Sequence, residues 1–114
     1  MQYYSTNKKA LPATLEEAVV KGLASDKGLF MPWTIKPLSQ DFYDNIDRMS
    51  FQEIAYHVAD AFFGEDVPAD TLKQIVYDTL NFDVPLVKVK ENIYSLELFH
   101  GPTLAFKDVG GRFM

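Results

Sequence analysis

The chain has 114 residues, of which 47% are hydrophobic and 24% are charged, and its formal net charge at pH 7 is −5. An acidic balance without a lysine or arginine cluster argues against nucleic acid or an anionic membrane as the main partner, and the absence of cysteine excludes disulfides, cysteine metal sites and a thiol nucleophile. Because the chain starts with polar residues and has no stretch approaching the roughly 20 apolar residues that span a bilayer, we expect it to be soluble and cytoplasmic.

The first third of the sequence predicts short elements. Residues 2–5 are expected to form a strand, and Thr14 and Glu17 have the spacing of a capping box that opens a helix with apolar positions at helical spacing. A turn at residues 26–28 follows this helix. The apolar run at residues 29–31 is then stopped by a proline.

The middle of the chain predicts further helices. A serine is expected to cap a brief helix over residues 39–46. Ser50 and Glu53 form a second capping box, which opens an amphipathic helix that ends near Gly64. A third amphipathic helix is predicted to start near Pro68.

The hydrophobic period changes after this third helix. Residues 86–90 alternate between apolar and polar, residues 91–92 form a turn, and residues 93–98 alternate again. This pattern is typical of a β-hairpin. Since helices come first and strands later, the stretch taken alone is α+β.

The most informative segment is residues 94–114, which read YSLELFHGPTLAFKDVGGRFM. A glycine-proline turn precedes Lys107, and two glycines follow it closely. Burying an unpaired ammonium costs several kcal/mol, but burial also favours the neutral amine, which can attack a carbonyl and form a Schiff base. We therefore expect Lys107 to lie in a buried turn and to act as a nucleophile.

The neighbours of Lys107 suit this interpretation. Phe106 supplies an apolar wall and Thr103 a hydroxyl, while a helix starting near Ala105 would aim free N–H groups at an anion such as a phosphate. The alternative is a solvated lysine at a helix N-terminus, because charge and glycine alone do not exclude it.

The two histidines do not predict a metal site. His57 is expected at the surface or boundary of a helix, and His100 begins the turn, where it would orient the loop or contact a ligand. Neither has a carboxylate partner at metal-ligand spacing, so we expect no metal ion.

The order of residues around Lys107 resembles the lysine segment of the threonine synthases, pyridoxal phosphate (PLP) enzymes that make threonine from O-phosphohomoserine. The segment HGPTLAFKD (100–108) carries the resemblance, and two upstream segments, at 15–32 and 51–68, extend it to nearly the whole chain. Residues 104–106 differ from the serine-phenylalanine pattern before the lysine of dehydratases and cysteine synthases. Asn7 stands where many members carry arginine.

The resemblance implies the chemistry of the site. Lys107 would hold PLP through a Schiff base and, once freed, would shuttle protons at the α and β carbons of the substrate. Phe106 would pack near the cofactor ring, while Thr103 and Asp108 would position the loop and are weaker candidates for contact with the substrate. Phosphate would leave from the γ carbon and water would add at the β carbon, so the enzyme would be a carbon–oxygen lyase.

The resemblance also implies a domain organisation. Residues 1–84 would form a mainly helical N-terminal domain, and residues 85–114 would begin the PLP-binding domain of a larger α/β fold of the tryptophan-synthase-β-like type. Because the family enzymes are several times longer, we expect this chain to be a truncated N-terminal part that is catalytically inert by itself. Its oligomeric state stays open.

Two alternative functions stay open. One is a threonine synthase-like phospholyase, with the same lysine and cofactor but a keto acid as its product. The other is a non-enzymatic, short binding module that retains the N-terminal fold.

Overall fold

In the computed structural model, which describes residues 1–113, the chain forms helices and two small antiparallel sheets. The elements in chain order are β1 (Tyr3–Ser5), α1 (Leu15–Lys21), β2 (Phe30–Pro32), α2 (Gln40–Asn45), a 3-10 turn (Ile46–Arg48), α3 (Phe51–Phe63), α4 (Ala69–Thr79), β3 (Leu86–Lys90), β4 (Ile93–Leu96) and α5 (Asp108–Gly111). Strand β1 pairs with β2, and β3 pairs with β4. The predicted α+β architecture is therefore confirmed. No helix among residues 1–113 is long and apolar enough to cross a membrane.

Three helices begin where the capping signals predict. The Thr14 hydroxyl accepts a hydrogen bond from the Glu17 N–H at 3.2 Å, and the Glu17 carboxylate accepts one from the Thr14 N–H at 3.0 Å. Ser50 and Glu53 form the same reciprocal pair before α3, with distances of 3.2 and 2.7 Å. The Ser39 hydroxyl accepts a hydrogen bond from the N–H three residues further on, at 3.2 Å. Each cap contributes about 1 kcal/mol, because it satisfies a donor that the helix itself leaves unpaired.

The core lies between α3 and α4, whose apolar faces pack together. Its buried residues are Ala59, Leu72, Val76 and Leu80. Full burial of a side chain such as Leu72 contributes roughly 1.5–3 kcal/mol. Two of the partly buried side chains around this core, Val109 and Phe113, come from the far end of the chain, and the rings of Phe113 and Phe63 lie 5.3 Å apart. The helical pair thus holds the segment that follows Lys107.

A second anchor, centred on Asp26, joins the N-terminal turn to the turn before β2. One oxygen of the Asp26 carboxylate accepts hydrogen bonds from the Ser5 hydroxyl at 2.6 Å and the Gly28 N–H at 3.0 Å, and the other accepts from the N–H groups of Lys9 and Ala10 at 2.9 Å each. These bonds, led by that of Ser5, lower the pKa of Asp26 to about 2. A Cβ at residue 28 would collide with the Ser5 hydroxyl, so only glycine fits there. The carboxylate therefore holds together two turns that are distant in sequence.

The hairpin of β3 and β4 leaves its apolar side chains exposed. Leu86 pairs with Leu96, and the register shifts between Lys88 and Lys90. The exposed apolar side chains of the two strands are those of Leu86, Val87, Val89, Ile93, Tyr94 and Leu96. An isolated two-stranded hairpin is marginally stable in water, and among residues 1–113 neither strand is covered by a helix. The strand predicted to reach Leu98 ends at Leu96.

Candidate functional site

Lys107 lies at the end of a tight loop that begins at Gly101 and leads into α5. Its backbone already has helical angles, with φ −63° and ψ −21°. Its carbonyl oxygen accepts hydrogen bonds from the N–H groups of Gly110 at 3.2 Å and Gly111 at 2.6 Å. Helix α5 begins at Asp108, later than the sequence predicts. The lysine is thus the last residue before a single turn of helix.

The Asp108 carboxylate closes this loop from the inside. Its side chain is only 5% exposed, and Oδ2 accepts a hydrogen bond from the Thr103 N–H at 2.8 Å. A Cβ built on Gly101 would lie 2.5 Å from the same oxygen, which is too close for any side chain. The structure therefore brings Gly101, Thr103 and Asp108 together, and it is the backbone of Thr103 that contacts the carboxylate.

The expected burial of Lys107 is not found. Its side chain is exposed, and so are those of Phe106, at 65%, and Leu104, at 75%. Leu104 also has a positive φ of 58°, a conformation that costs a non-glycine residue roughly 1–2 kcal/mol. Among residues 1–113 Phe106 does not pack against a buried amine, and its role as an apolar wall of a complete site stays a prediction.

Arg112 attaches the segment after Lys107 to the C-terminal end of α4. Its Nη1 donates to the Thr79 carbonyl at 2.8 Å and to Asn81 Oδ1 at 2.8 Å, and its Nη2 donates to the Asp78 carbonyl at 3.1 Å. The sequence interpretation did not single out this arginine. One signal was available, because α4 has no basic residue in its last turn and its C-cap residue is Leu80 instead of a glycine.

The histidines behave as structural residues. His100 Nε2 lies 2.7 Å from Glu97 Oε2, so this ring is paired with the carboxylate of a residue three positions earlier. His57 is exposed on α3, with its ring edge-on to the buried ring of Phe42 at 5.4 Å. Among residues 1–113, no group of three or more metal-ligating side chains comes together.

The segment fits one part of a PLP site. The side chain of Lys107 is open to a ligand aldehyde, and side chains built at Gly110 and Gly111 would meet nothing within 4 Å, so the chain leaves the space beside α5 free. The guanidinium of Arg112 is already bound to carbonyls, and α5 has one turn only. This part of the chain therefore leaves the Lys107 side chain accessible, whereas a phosphate cradle is not found among residues 1–113.

Comparison with known protein families identifies relatives over the whole chain. Residues 2–80 match the family model described as "Threonine synthase N terminus". The threonine synthase of Haemophilus influenzae is 41% identical over 114 residues, which cover 100% of this chain and 26% of that protein. The threonine synthase of Saccharomyces cerevisiae is 39% identical over 126 residues, covering 99% of this chain and 24% of that protein. The chain thus spans about a quarter of the length of the curated relatives it matches.

Solved structures show the same similarity. The crystal structure of threonine synthase from Escherichia coli superposes with a TM-score of 0.90 at 34% identity, covering 99% of this chain and 26% of that one. A PLP-bound threonine synthase from Brucella melitensis superposes with a TM-score of 0.87 at 36% identity, covering 96% and 25%. Both the fold and the lysine segment of this chain therefore fall within the aligned region.

Proposed function

The chain belongs to the threonine synthase family, and we propose that it is part of an enzyme that converts O-phosphohomoserine and water to threonine and phosphate with PLP as cofactor. The observation that carries this proposal is the similarity to threonine synthases along the whole chain, which includes the segment around Lys107. The PLP-bound neighbour supports the cofactor.

Lys107 is the residue proposed to hold PLP, through a covalent bond from Nζ to the cofactor aldehyde. The open space beside Gly110 and Gly111 and the position of Lys107 within the segment shared with threonine synthases support this role. When bound, PLP supplies an electron sink for negative charge that develops on the substrate carbons. Lys107 Nζ would take up and return protons at the α and β carbons of the substrate.

The other site residues have supporting roles in this proposal. Asp108 and the Thr103 N–H hold the loop in one conformation, which orients the backbone from which Lys107 extends. Phe106, which is exposed among residues 1–113, would pack near the cofactor ring. Direct contact of Thr103 or Asp108 with the substrate stays a weaker proposal, since the Asp108 carboxylate is buried within the loop.

The test of the lysine is chemical trapping in the full-length protein. Borohydride reduction should fix PLP on the peptide that contains Lys107, and Lys107→Ala should abolish this adduct. Lys73→Ala is the matched control, because Lys73 is an exposed lysine of α4, outside the loop. An adduct that survives Lys107→Ala would move the attachment to another lysine and overturn this assignment.

The reaction class is tested by its products. A threonine synthase converts O-phosphohomoserine and water to threonine and phosphate, whereas a phospholyase converts the same two substrates to a keto acid, ammonia and phosphate. Threonine is the expected product, because the relatives at 41% and 39% identity are both threonine synthases. A keto acid without threonine would contradict the threonine synthase reaction proposed here and favour the phospholyase.

Residues 1–114 alone are proposed to be inactive. An exposed lysine would hold PLP weakly, because water has access to the point of attachment and nothing among residues 1–113 would fix the phosphate. Threonine formation by the 114-residue polypeptide would refute this proposal. The division into residues 1–84 and 85–114, the tryptophan-synthase-β-like fold of the larger protein and a cytoplasmic location are also part of the proposal, and stay predictions.

A further inference from the structure

We propose that Arg112 is a positioning residue for Lys107, which it holds in place by fixing α5 to the C-terminal end of α4. The inference rests on the proposed role of Lys107 as the residue that attaches PLP. Its evidence is independent of the cofactor, because it consists of the contacts that Arg112 makes with Asp78, Thr79 and Asn81.

The C-terminal end of α4 requires a partner of this kind. The last carbonyl groups of a helix have no N–H partner within it, and the helix dipole places partial negative charge on them. The carbonyls of Asp78 and Thr79 belong to the last turn of α4, which has no basic residue of its own. Arg112 supplies both a positive charge and donors in a fixed, forked arrangement, which a lysine in its place could only partly reproduce.

Helix α5, in turn, requires an external anchor. It has four residues, two of them glycine, and a glycine inside a helix costs about 1 kcal/mol relative to alanine. A helix of this length is not stable alone. Its attachment therefore decides whether the N–H groups of Gly110 and Gly111 stay bonded to the Lys107 carbonyl.

The attachment extends beyond the guanidinium. The Thr79 hydroxyl donates to the Arg112 carbonyl at 3.4 Å, and the guanidinium lies 5.9 Å from the centroid of the Phe82 ring. Val109 and Phe113, on either side, pack against the core of α3 and α4. The loop closed by Asp108 thus holds the chain before Lys107, and Arg112 holds the chain after it, so that α5 connects the lysine to α4.

The experiment compares Arg112→Gln and Arg112→Lys with the unmodified full-length protein. Arg48→Gln is the control, because Arg48 is an exposed arginine in the 3-10 turn, outside the site. The first readout is hydrogen exchange of the amides of residues 108–113, measured without PLP. The second is the rate at which PLP becomes trapped on Lys107 by borohydride, and circular dichroism checks that each variant is folded.

We expect Arg112→Gln to raise the exchange rates of residues 108–113 and to slow PLP capture by roughly tenfold or more, as the loss of a charge-assisted hydrogen bond implies. Arg112→Lys should have exchange rates and a rate of PLP capture between those of Arg112→Gln and the unmodified protein. Arg48→Gln should change neither readout. A purely structural role would change exchange and overall stability but leave the capture rate of the folded protein unchanged.

The outcomes separate this inference from the proposed function. If the unmodified protein traps no PLP on Lys107, the proposed function fails and the inference loses its premise. If the unmodified protein does trap PLP, and Arg112→Gln has the same amide exchange rates and the same rate of PLP capture, the inference alone is overturned. If Arg112→Gln does not fold, Asn81→Ala takes its place, because it removes one partner of the guanidinium. Amide exchange rates of residues 108–113 that are unchanged in both Asn81→Ala and Arg112→Lys would then overturn the inference.

Discussion

The Asp108 carboxylate fills the space in which a side chain at residue 101 would lie. A Cβ on Gly101 would stand 2.5 Å from Asp108 Oδ2 and 2.6 Å from Asp108 Cβ. The loop before Lys107 can close only because residue 101 has no side chain. This steric relationship explains why a glycine begins the turn, and it determines how the lysine leaves the backbone.

Gly101→Ala should therefore destabilise the fold. The new methyl group would push the carboxylate away from the Thr103 N–H, and such overpacking typically costs about 1–3 kcal/mol. Gly110→Ala is the matched control, because a Cβ there meets nothing within 4 Å and alanine favours the helix. Urea unfolding of both variants measures the difference. A Gly101→Ala variant as stable as Gly110→Ala would contradict the described geometry.

The second prediction concerns Asp108 itself. Asp108→Ala should cost about 1–3 kcal/mol, because the part-buried hydrogen bond from the Thr103 N–H to the Asp108 carboxylate is lost. Asp108→Asn keeps an acceptor oxygen and should cost less. The exchange rate of the Thr103 amide is the local readout, and it should rise in the alanine variant.

The same two variants distinguish the roles proposed for Asp108. In the full-length enzyme, a residue that positions Lys107 should affect the trapping of PLP before any substrate is added. A residue that binds substrate should instead raise KM and leave PLP trapping unchanged. A raised KM with unchanged PLP trapping would indicate that Asp108 contacts the substrate.

Asp26 gives a prediction about pH. Its pKa is lowered from the ordinary 3.8 to about 2 in the folded chain, chiefly by the Ser5 hydroxyl. A carboxyl group with a lowered pKa stabilises the fold at pH values above its unfolded pKa, and this contribution is lost as pH falls towards the folded pKa. The free-energy difference between the unmodified chain and Asp26→Asn should therefore be constant above about pH 5 and shrink between pH 4 and pH 2.

The difference between the unmodified chain and Asp26→Asn isolates the contribution of the Asp26 carboxyl group to stability. The pKa values of Glu17 and Glu53 are also lowered, mainly by the N–H groups of the residues that they cap. Both glutamates are present in each protein, so their contributions cancel in the difference. A difference that does not change with pH would show that Asp26 does not titrate with a lowered pKa.

Features that depend on local sequence were predictable. Each helix cap binds the N–H group of the residue three positions further on, so the spacing is visible in the sequence. These caps are Thr14, Ser39 and Ser50. The hairpin was predictable from alternation and from a turn, which Asn92 closes with a positive φ of 58°. The lysine segment was recognisable because its residue order is specific to one family.

Features that depend on contacts between distant residues were not predictable. Asp26 and Ser5 are 21 positions apart, and Arg112 and Asp78 are 34 apart. No period or spacing in the sequence joins such pairs. The burial of Lys107 depends in the same way on contacts between distant residues, and among residues 1–113 its side chain is exposed.

The last prediction concerns the exposed apolar residues of the hairpin and the lysine loop. Val89 is 65% exposed and Leu104 is 75% exposed, and exposed apolar surface favours association. We expect the 114-residue polypeptide to self-associate as its concentration rises, measured by sedimentation velocity.

The double variant Val89→Thr with Leu104→Ser should remain monomeric to higher concentration, since threonine retains the β propensity of valine. Val20→Thr, at an exposed valine of α1, is the control and should leave the association unchanged. A polypeptide that stays monodisperse at all concentrations would instead favour the short binding module over an enzyme part that needs further chain to cover this surface.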